Sequence, residues 1–191
     1  MFRKNYGIIP SKNYDLSCYD LEGVREDAAK HCYCELPDRW KIFKTKMDRS
    51  DSQPRSWGLL KIEIEKDGKP YMNFIRNYPS LPIAYAVQGE EEFLITSEDY
   101  QCITIINLTK KEIKSYSDID DISHGAGFCP MYIDWDEGVL YIEGCIWACP
   151  EETMIVENID LNNPINHFNN AEWRFDDEEE EYCEDEWDED E

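Results

Sequence analysis

The stretch LLKIEIEKDGKPYMNFIRN, residues 59–77, alternates apolar and polar side chains on both sides of Asp67-Gly68. Period-two alternation sends every second side chain to one face of an extended strand, and such a half-apolar ribbon needs a sheet around it. Glycine accepts the positive φ of a tight hairpin turn, so Asp67-Gly68 predicts that the two halves pair with each other. The pattern recurs. PIAYAVQ (82–88) and EEFLITSE (91–98) read as short strands, and CITIINLTKKEIKSYS (102–117) as a hairpin turning at Thr109-Lys110-Lys111. PMYIDWDEGVLYIEG (130–144) reads as a third hairpin turning through Asp136-Glu137-Gly138, and TMIVENIDL (153–161) as a last strand. Short strands joined by turns predict an antiparallel, mostly β body from residue 57 to about residue 161.

Two segments of this body echo each other. EEFLITSEDYQCITIINLTKKEI and EGVLYIEGCIWACPEETMIVENIDLNNPI share an acidic turn, a strand, an interruption and a strand ending Ile-Asn-Leu or Ile-Asp-Leu, offset by 53 residues from Leu108 to Leu161. Units of this size ending in such a turn resemble β-propeller blades. A closed propeller takes four or more blades, more than this length supplies. The expected fold is therefore an antiparallel meander, an open twisted sheet of propeller-blade-like hairpins, with a small β-sandwich as the alternative.

Ahead of it, DLEGVREDAAKHCYC (20–34) spaces Leu21, Val24, Ala28 and Cys32 at helical intervals, so a short N-terminal helix is expected, closed by Pro37. Residues 44–56 are polar and read as a linker. The organisation expected is an irregular segment with one helix over residues 1–56, a β domain over 57–175 and an acidic tail over 176–191.

Charge narrows the partners. The formal net charge is −24, and the tail DDEEEEYCEDEWDEDE holds 13 of the 43 acidic residues with no basic one. Direct binding of nucleic acid or anionic lipid draws on Lys and Arg, so neither bare nucleic acid nor membrane is an expected partner, whereas a basic protein surface is. The first residues lack the apolar run of a signal peptide and no stretch approaches a membrane span, so a cytoplasmic chain with reduced cysteines is expected.

At ITSEDYQ, GFCP and YIEGCIWACPEE the sequence resembles a group of uncharacterised bacterial proteins that share a Glu-Gly-Cys-aromatic-Trp-Ala-Cys-Pro stretch. Glu143, Gly144, Cys145, Trp147, Ala148, Cys149 and Pro150 match it, and Ile146 stands where an aromatic is usual. The resemblance spans roughly residues 57–165 and implies a β fold without implying an activity.

The cysteines raise three chemistries. Tetrahedral zinc takes four ligands, commonly from two close pairs; Cys145 and Cys149 make one pair, and Cys129 and Cys32 are the first candidates to complete a site, with His31 and Cys34 beside Cys32 also in reach. Cys145 and Cys149 would also serve as a redox pair. Against both, reduced Cys packs as a small hydrophobe, and Trp147 between the two favours core. A three-residue turn at Asp136 to Gly138 would set position 135 opposite 139, and counting back sets Cys129 opposite Cys145, cross-strand neighbours in need of no ligand. No cofactor is expected. Ser123-His124-Gly125 lies in a glycine-rich loop without a nucleophile elbow, and adjacent Ser and His do not make a triad. Calcium at DWDEG fails because the twelfth position of an EF-hand loop counted from Asp134 falls on Cys145.

The leading functional expectation is a non-catalytic acidic protein that occupies a basic surface of a protein partner, such as the groove of a nucleic-acid-binding protein, as an inhibitor or nucleic-acid-mimic-like decoy. A zinc-stabilised β module and a cysteine- or carboxylate-based enzyme are the alternatives. The tail should be disordered by self-repulsion. Its carboxylates Glu178, Glu179, Glu180, Glu181, Glu184 and Asp185 would steer a partner, while Tyr182 and Trp187 anchor it.

Overall fold

The Asp67-Gly68 hairpin is present in a computed structural model of the chain, which describes residues 6–9, 24–26, 29–49, 59–76, 78–98, 102–118, 128–146 and 151–175. Its strands β5 (Leu59–Lys66) and β6 (Lys69–Arg76) are joined by a turn in which both residues have positive φ, 55° and 73°. Strand β4 (Trp40–Arg49) pairs with β5 along its length. Two short strands, β2 (Val24–Glu26) and β3 (His31–Glu35), pair with the far end and the near end of β4 to complete a first sheet. The chain then builds a middle sheet from β7 (Ala84–Gln88), β8 (Glu91–Thr96), β9 (Ile103–Asn107) and β10 (Glu112–Asp118), with β1 (Tyr6–Ile9) added outside β10. A third sheet follows: β11 (Phe128–Asp136), β12 (Val139–Ile146), β13 (Glu151–Val156) and β14 (Glu172–Phe175). Every strand pair among the described residues is antiparallel. Helix α1 (Ile165–Asn169) fills the connection from β13 to β14.

In place of the N-terminal helix expected over residues 20–34, residues 24–26 and 31–34 are strand, in β2 and β3 at the edge of the first sheet; residues 20–23 and 27–28 lie outside the described residues. The apolar spacing that suggested a helix is sparse there because an edge strand exposes most of its side chains: every residue of β3 but Cys34 is exposed. Backbone pairing with β4 overrides local propensity. Residues 44–49 of the expected linker are likewise part of β4, with Thr45 and Met47 buried on either side of Lys46; residues 50–56 lie outside the described residues. Strands β2, β3 and β4 thus share a sheet with β5, while β1 belongs to the middle sheet.

The middle sheet is apolar on both faces. Alternation along β8 and β9 sends Phe93, Ile95, Ile103 and Ile105 to the third sheet, where they meet Ile133, Leu140, Ile142, Met154 and Phe168. It sends Leu94 and Ile106 the other way, onto Trp40, Ile42, Ile62, Ile64 and Phe74 of the first sheet. Three layers result, with the middle one buried on both sides. Leu108 and Leu161, the matched leucines of the internal echo, plug the two seams: Leu108 lies in the first-sheet core and Leu161 in the third-sheet core, each almost fully buried. Burying a leucine contributes about 1.5–3 kcal/mol. The residue before each leucine caps the turn, Asn107 Oδ1 accepting the Lys110 N–H and Asp160 Oδ1 accepting the Asn162 N–H, both at 2.9 Å. Among the described residues the sheets do not close into a barrel, and no helix is long and apolar enough to cross a membrane.

Candidate functional site

Adjacent glutamates at the start of β8 point to opposite faces, and each ties the middle sheet to a neighbour. Glu92 turns to the first sheet, where Oε1 accepts from Trp40 Nε1 at 2.7 Å and the Tyr85 hydroxyl at 2.8 Å, and Oε2 accepts from Lys66 Nζ at 2.9 Å. The Lys66 ammonium also lies 4.2 Å from the Trp40 ring centre. Burial alone would raise Glu92, but the Trp40, Lys66 and Tyr85 donors outweigh it and hold the carboxyl below its ordinary value. Tyr85 is pushed up, first by burial and then by its bond to Glu92. Glu91 turns to the third sheet. It accepts from Lys110 Nζ at 2.6 Å, Asn107 Nδ2 at 2.7 Å and Asn162 Nδ2 at 3.0 Å, and the Lys110 bond is the main cause of its lowered pKa. Gln88 completes this seam, donating to the Ile159 carbonyl at 2.6 Å and accepting from the Leu161 N–H at 3.0 Å. These carboxylates serve the structure.

At the other end of the middle sheet sits a buried polar group. The fully buried Arg76 donates to the carbonyls of Ser80 and Ser97 and, at 2.8 Å, to Ser97 Oγ. Close by along the strands, Thr104 Oγ1 lies 2.9 Å from Ser115 Oγ and 3.6 Å from the Cys102 sulfur. Among the described residues no histidine joins this group. His31 is exposed on β3, and His167 lines an open cleft of about 350 Å³ with Val156, Glu157, Asn170, Ala171 and Glu172. His124 lies outside the described residues.

The third sheet carries the exposed surface of most interest. Its hairpin turn holds two residues rather than the three expected: Asp136 pairs with Val139, and Glu137 and Gly138 take positive φ of 45° and 91°. An unbroken ladder running back from that turn would set Cys129 opposite Ile146. A β-bulge at Met131 shifts the register by one residue, and Cys129 meets Cys145 instead. The two cysteines are therefore direct partners, as expected, through two offsets that cancel. Gly144 is dictated by this geometry. A Cβ there would collide with the Cys129 carbonyl oxygen and come within 2.7–2.8 Å of the Phe128 ring, which is packed edge-on against Trp173 at 5.0 Å.

Alternation and register place Cys129, Tyr132, Asp134 and Asp136 of β11 on one face with Tyr141, Glu143 and Cys145 of β12, the face turned away from the middle sheet. Asp134, Asp136 and Glu143 are exposed, and Tyr132 is 53% exposed. With Glu137 in the turn and Glu157 after β13, none of these carboxylates is ion-paired among the described residues. The first sheet differs. Four of its cations pair within it: Lys30 with Glu65 at 2.6 Å, Arg39 with Asp67 at 2.7 Å, Lys41 with Glu35 at 2.5 Å and Lys61 with Glu26 at 2.9 Å.

No expectation drawn from the sequence pointed to this acidic face, yet its signal is plain. Residues 115–173 hold 12 Asp and Glu and no Lys or Arg, whereas residues 24–76 hold 12 Lys and Arg against 9 Asp and Glu. The tail residues expected to bind a partner, including Tyr182 and Trp187, lie outside the described residues, as do Trp147 and Cys149. Of the other metal candidates, Cys129 and Cys145 are half-buried in the third sheet, while Cys32 is exposed in the first, on the far side of the middle sheet. The thiol of nearby Cys34 is pushed up to about 11, chiefly by burial. No protein family, no curated protein and no solved structure matches this chain.

Proposed function

We propose that this protein is a non-catalytic acidic binding protein that places the outer face of its third sheet, together with the acidic tail, on a basic surface of a protein partner. The observation that carries this reading is the separation of charge across the layers. Lys30, Arg39, Lys41 and Lys61 of the first sheet are engaged in internal ion pairs, while the third sheet, whose Arg174 pairs with Glu172, presents Asp134, Asp136 and Glu143 without a paired cation among the described residues, beside the exposed ring of Tyr132. Carboxylates on a rigid sheet can match fixed lysines and arginines without a large ordering cost, and tyrosine is a common interface anchor. A surface rich in such cations is typical of proteins that bind nucleic acid, so the partner class is a nucleic-acid-binding protein and the action that of a decoy or inhibitor in the cytoplasm. The three successive antiparallel meanders are read with it as propeller-blade-like units stacked face to face, a stiff platform for this face.

The experiment is capture from nuclease-treated lysate by the intact chain, by a chain lacking residues 176–191, and by a chain with Asp134→Lys, Asp136→Lys and Glu143→Lys. A partner retained by the intact chain, lost with the triple substitution and displaced by nucleic acid is the expected result. Retention of the same partners by the triple variant contradicts the assignment of the face. Identical retention by the tail-deleted chain confines the function to the folded body.

A further inference from the structure

Cys129 and Cys145 are more than neighbours in sequence pattern. They face each other directly across the β11–β12 ladder, both half-buried, on the solvent side of the third sheet. Directly opposed residues of an antiparallel pair have Cα atoms about 4.5–5.5 Å apart and side chains on the same face. A disulfide spans Cα separations of about 4.4–6.8 Å. Direct opposition in the ladder puts the pair in that range.

We infer that Cys129 and Cys145 are a redox-active dithiol that closes into a cross-strand disulfide by exchange with a low-molecular-weight disulfide. In the first step one of the two, as thiolate, attacks a sulfur of the small disulfide; a mixed disulfide forms and one small thiol leaves. In the second, the facing cysteine attacks the protein-side sulfur, the protein disulfide forms and the second small thiol leaves. Two protons and two electrons pass from the protein to the reagent, which ends as two thiols. The bond staples the bulged end of β11, where Met131 interrupts the register, onto β12. It thereby fixes the strand that carries Tyr132 and Asp134. The inference does not depend on the acidic face having a partner.

The probe is cystamine, a cationic disulfide drawn to the carboxylates of this face, applied to the folded full-length chain with a metal chelator present. Remaining thiols are then alkylated and the chain is cut after acidic residues. Trypsin would leave Cys129, Cys145 and Cys149 on one peptide, since residues 115–173 contain no Lys or Arg. Acid-specific cleavage can separate Cys129 from Cys145 at Asp134, Asp136, Glu137 or Glu143, but has no site between Cys145 and Cys149. The expected product is the Cys129 peptide joined to the Cys145 peptide, two hydrogens lighter than their sum. It should persist in Cys149→Ser, vanish in Cys145→Ser, and revert with dithiothreitol. A loop closed within the Cys145–Cys149 peptide overturns the inference, as does a Cys129 that stays alkylated after cystamine treatment. If Cys149→Ser fails to fold, fragment-ion sequencing of the linked wild-type peptide decides: the alkyl group on Cys149 supports the inference and the alkyl group on Cys145 overturns it.

Discussion

The first and third sheets lean on the same middle sheet from opposite sides, and their inner halves are built alike. Each buries one apolar face against β8 and β9, each seam is closed by a leucine from a matched turn, and each is tied by one of the neighbouring glutamates Glu91 and Glu92. Their outer sides diverge. On the first sheet Lys–Glu pairs bridge the strands, whereas the outer face of β11 and β12 carries carboxylates that pair with no cation among the described residues. Exposed ion pairs contribute little to stability, about 0–1 kcal/mol each, so the difference has small consequences for folding. What it changes is the field each face projects into solvent. The scaffold is shared, and the specialisation lies outside it.

That comparison breaks most easily at the seams. Trp40→Ala removes a fully buried ring of the first sheet, its edge-on contact with Tyr71 at 4.8 Å and its bond to Glu92. A loss of about 3–5 kcal/mol is expected in denaturant unfolding. If both outer sheets depend equally on the middle one, the loss shows as a lower midpoint of one cooperative transition; two separated transitions would show that the sheets fold independently. Gly144→Ala is the third-sheet counterpart. Its new Cβ collides with the Cys129 carbonyl and the Phe128 ring, and a loss of about 2–3 kcal/mol is expected. An unchanged midpoint would mean that the β11 backbone and the Phe128 ring both give way at no cost.

A smaller effect separates Glu92 from the rest of the acidic charge. Its folded pKa lies below its unfolded one, so its contribution is present above the unfolded carboxylate value of about 4.3 and is lost as pH falls through the folded value. Glu92→Gln should cost about 1–2 kcal/mol at neutral pH, as bonds to charged groups do. The gap from wild type should narrow as the solution is acidified into that window. A gap that stays constant with pH would show that the loss comes from packing alone.

The hairpins are legible because their turns are written in chemistry: Asp67-Gly68 and Glu137-Gly138 both take positive φ at both positions. The turn at Glu137-Gly138 shows the limit of counting. A turn one residue too long already places Cys129 opposite Cys145, and the bulge at Met131, which no local rule announces, repairs the error. The edge strands β2 and β3 look helical because a strand with one neighbour and an exposed surface has little apolar alternation to show. In β4, Lys44 and Lys46 mask the alternation, since long cationic side chains dominate the composition of its second half while Thr45 and Met47 between and beyond them are buried. The acidic face is readable from the missing cations of residues 115–173, a signal that the denser charge of the tail overshadows.

The most direct test sets the two outer sheets against each other at equal charge. One variant carries Asp134→Lys, Asp136→Lys and Glu143→Lys on the third sheet; the other carries Glu26→Lys, Glu35→Lys and Glu63→Lys on the first. Three reversals of two charges each raise the formal net charge of both from −24 to −18. Affinity for the captured basic partner is measured by titration at about 0.15 M salt, where the Debye length is about 8 Å and distant charge is largely screened. The third-sheet variant should bind at least about a hundredfold more weakly, in the range of buried charge contacts, while the first-sheet variant stays within about threefold of wild type. Equal weakening of both would contradict this, reducing the acidic face to a share of the overall charge.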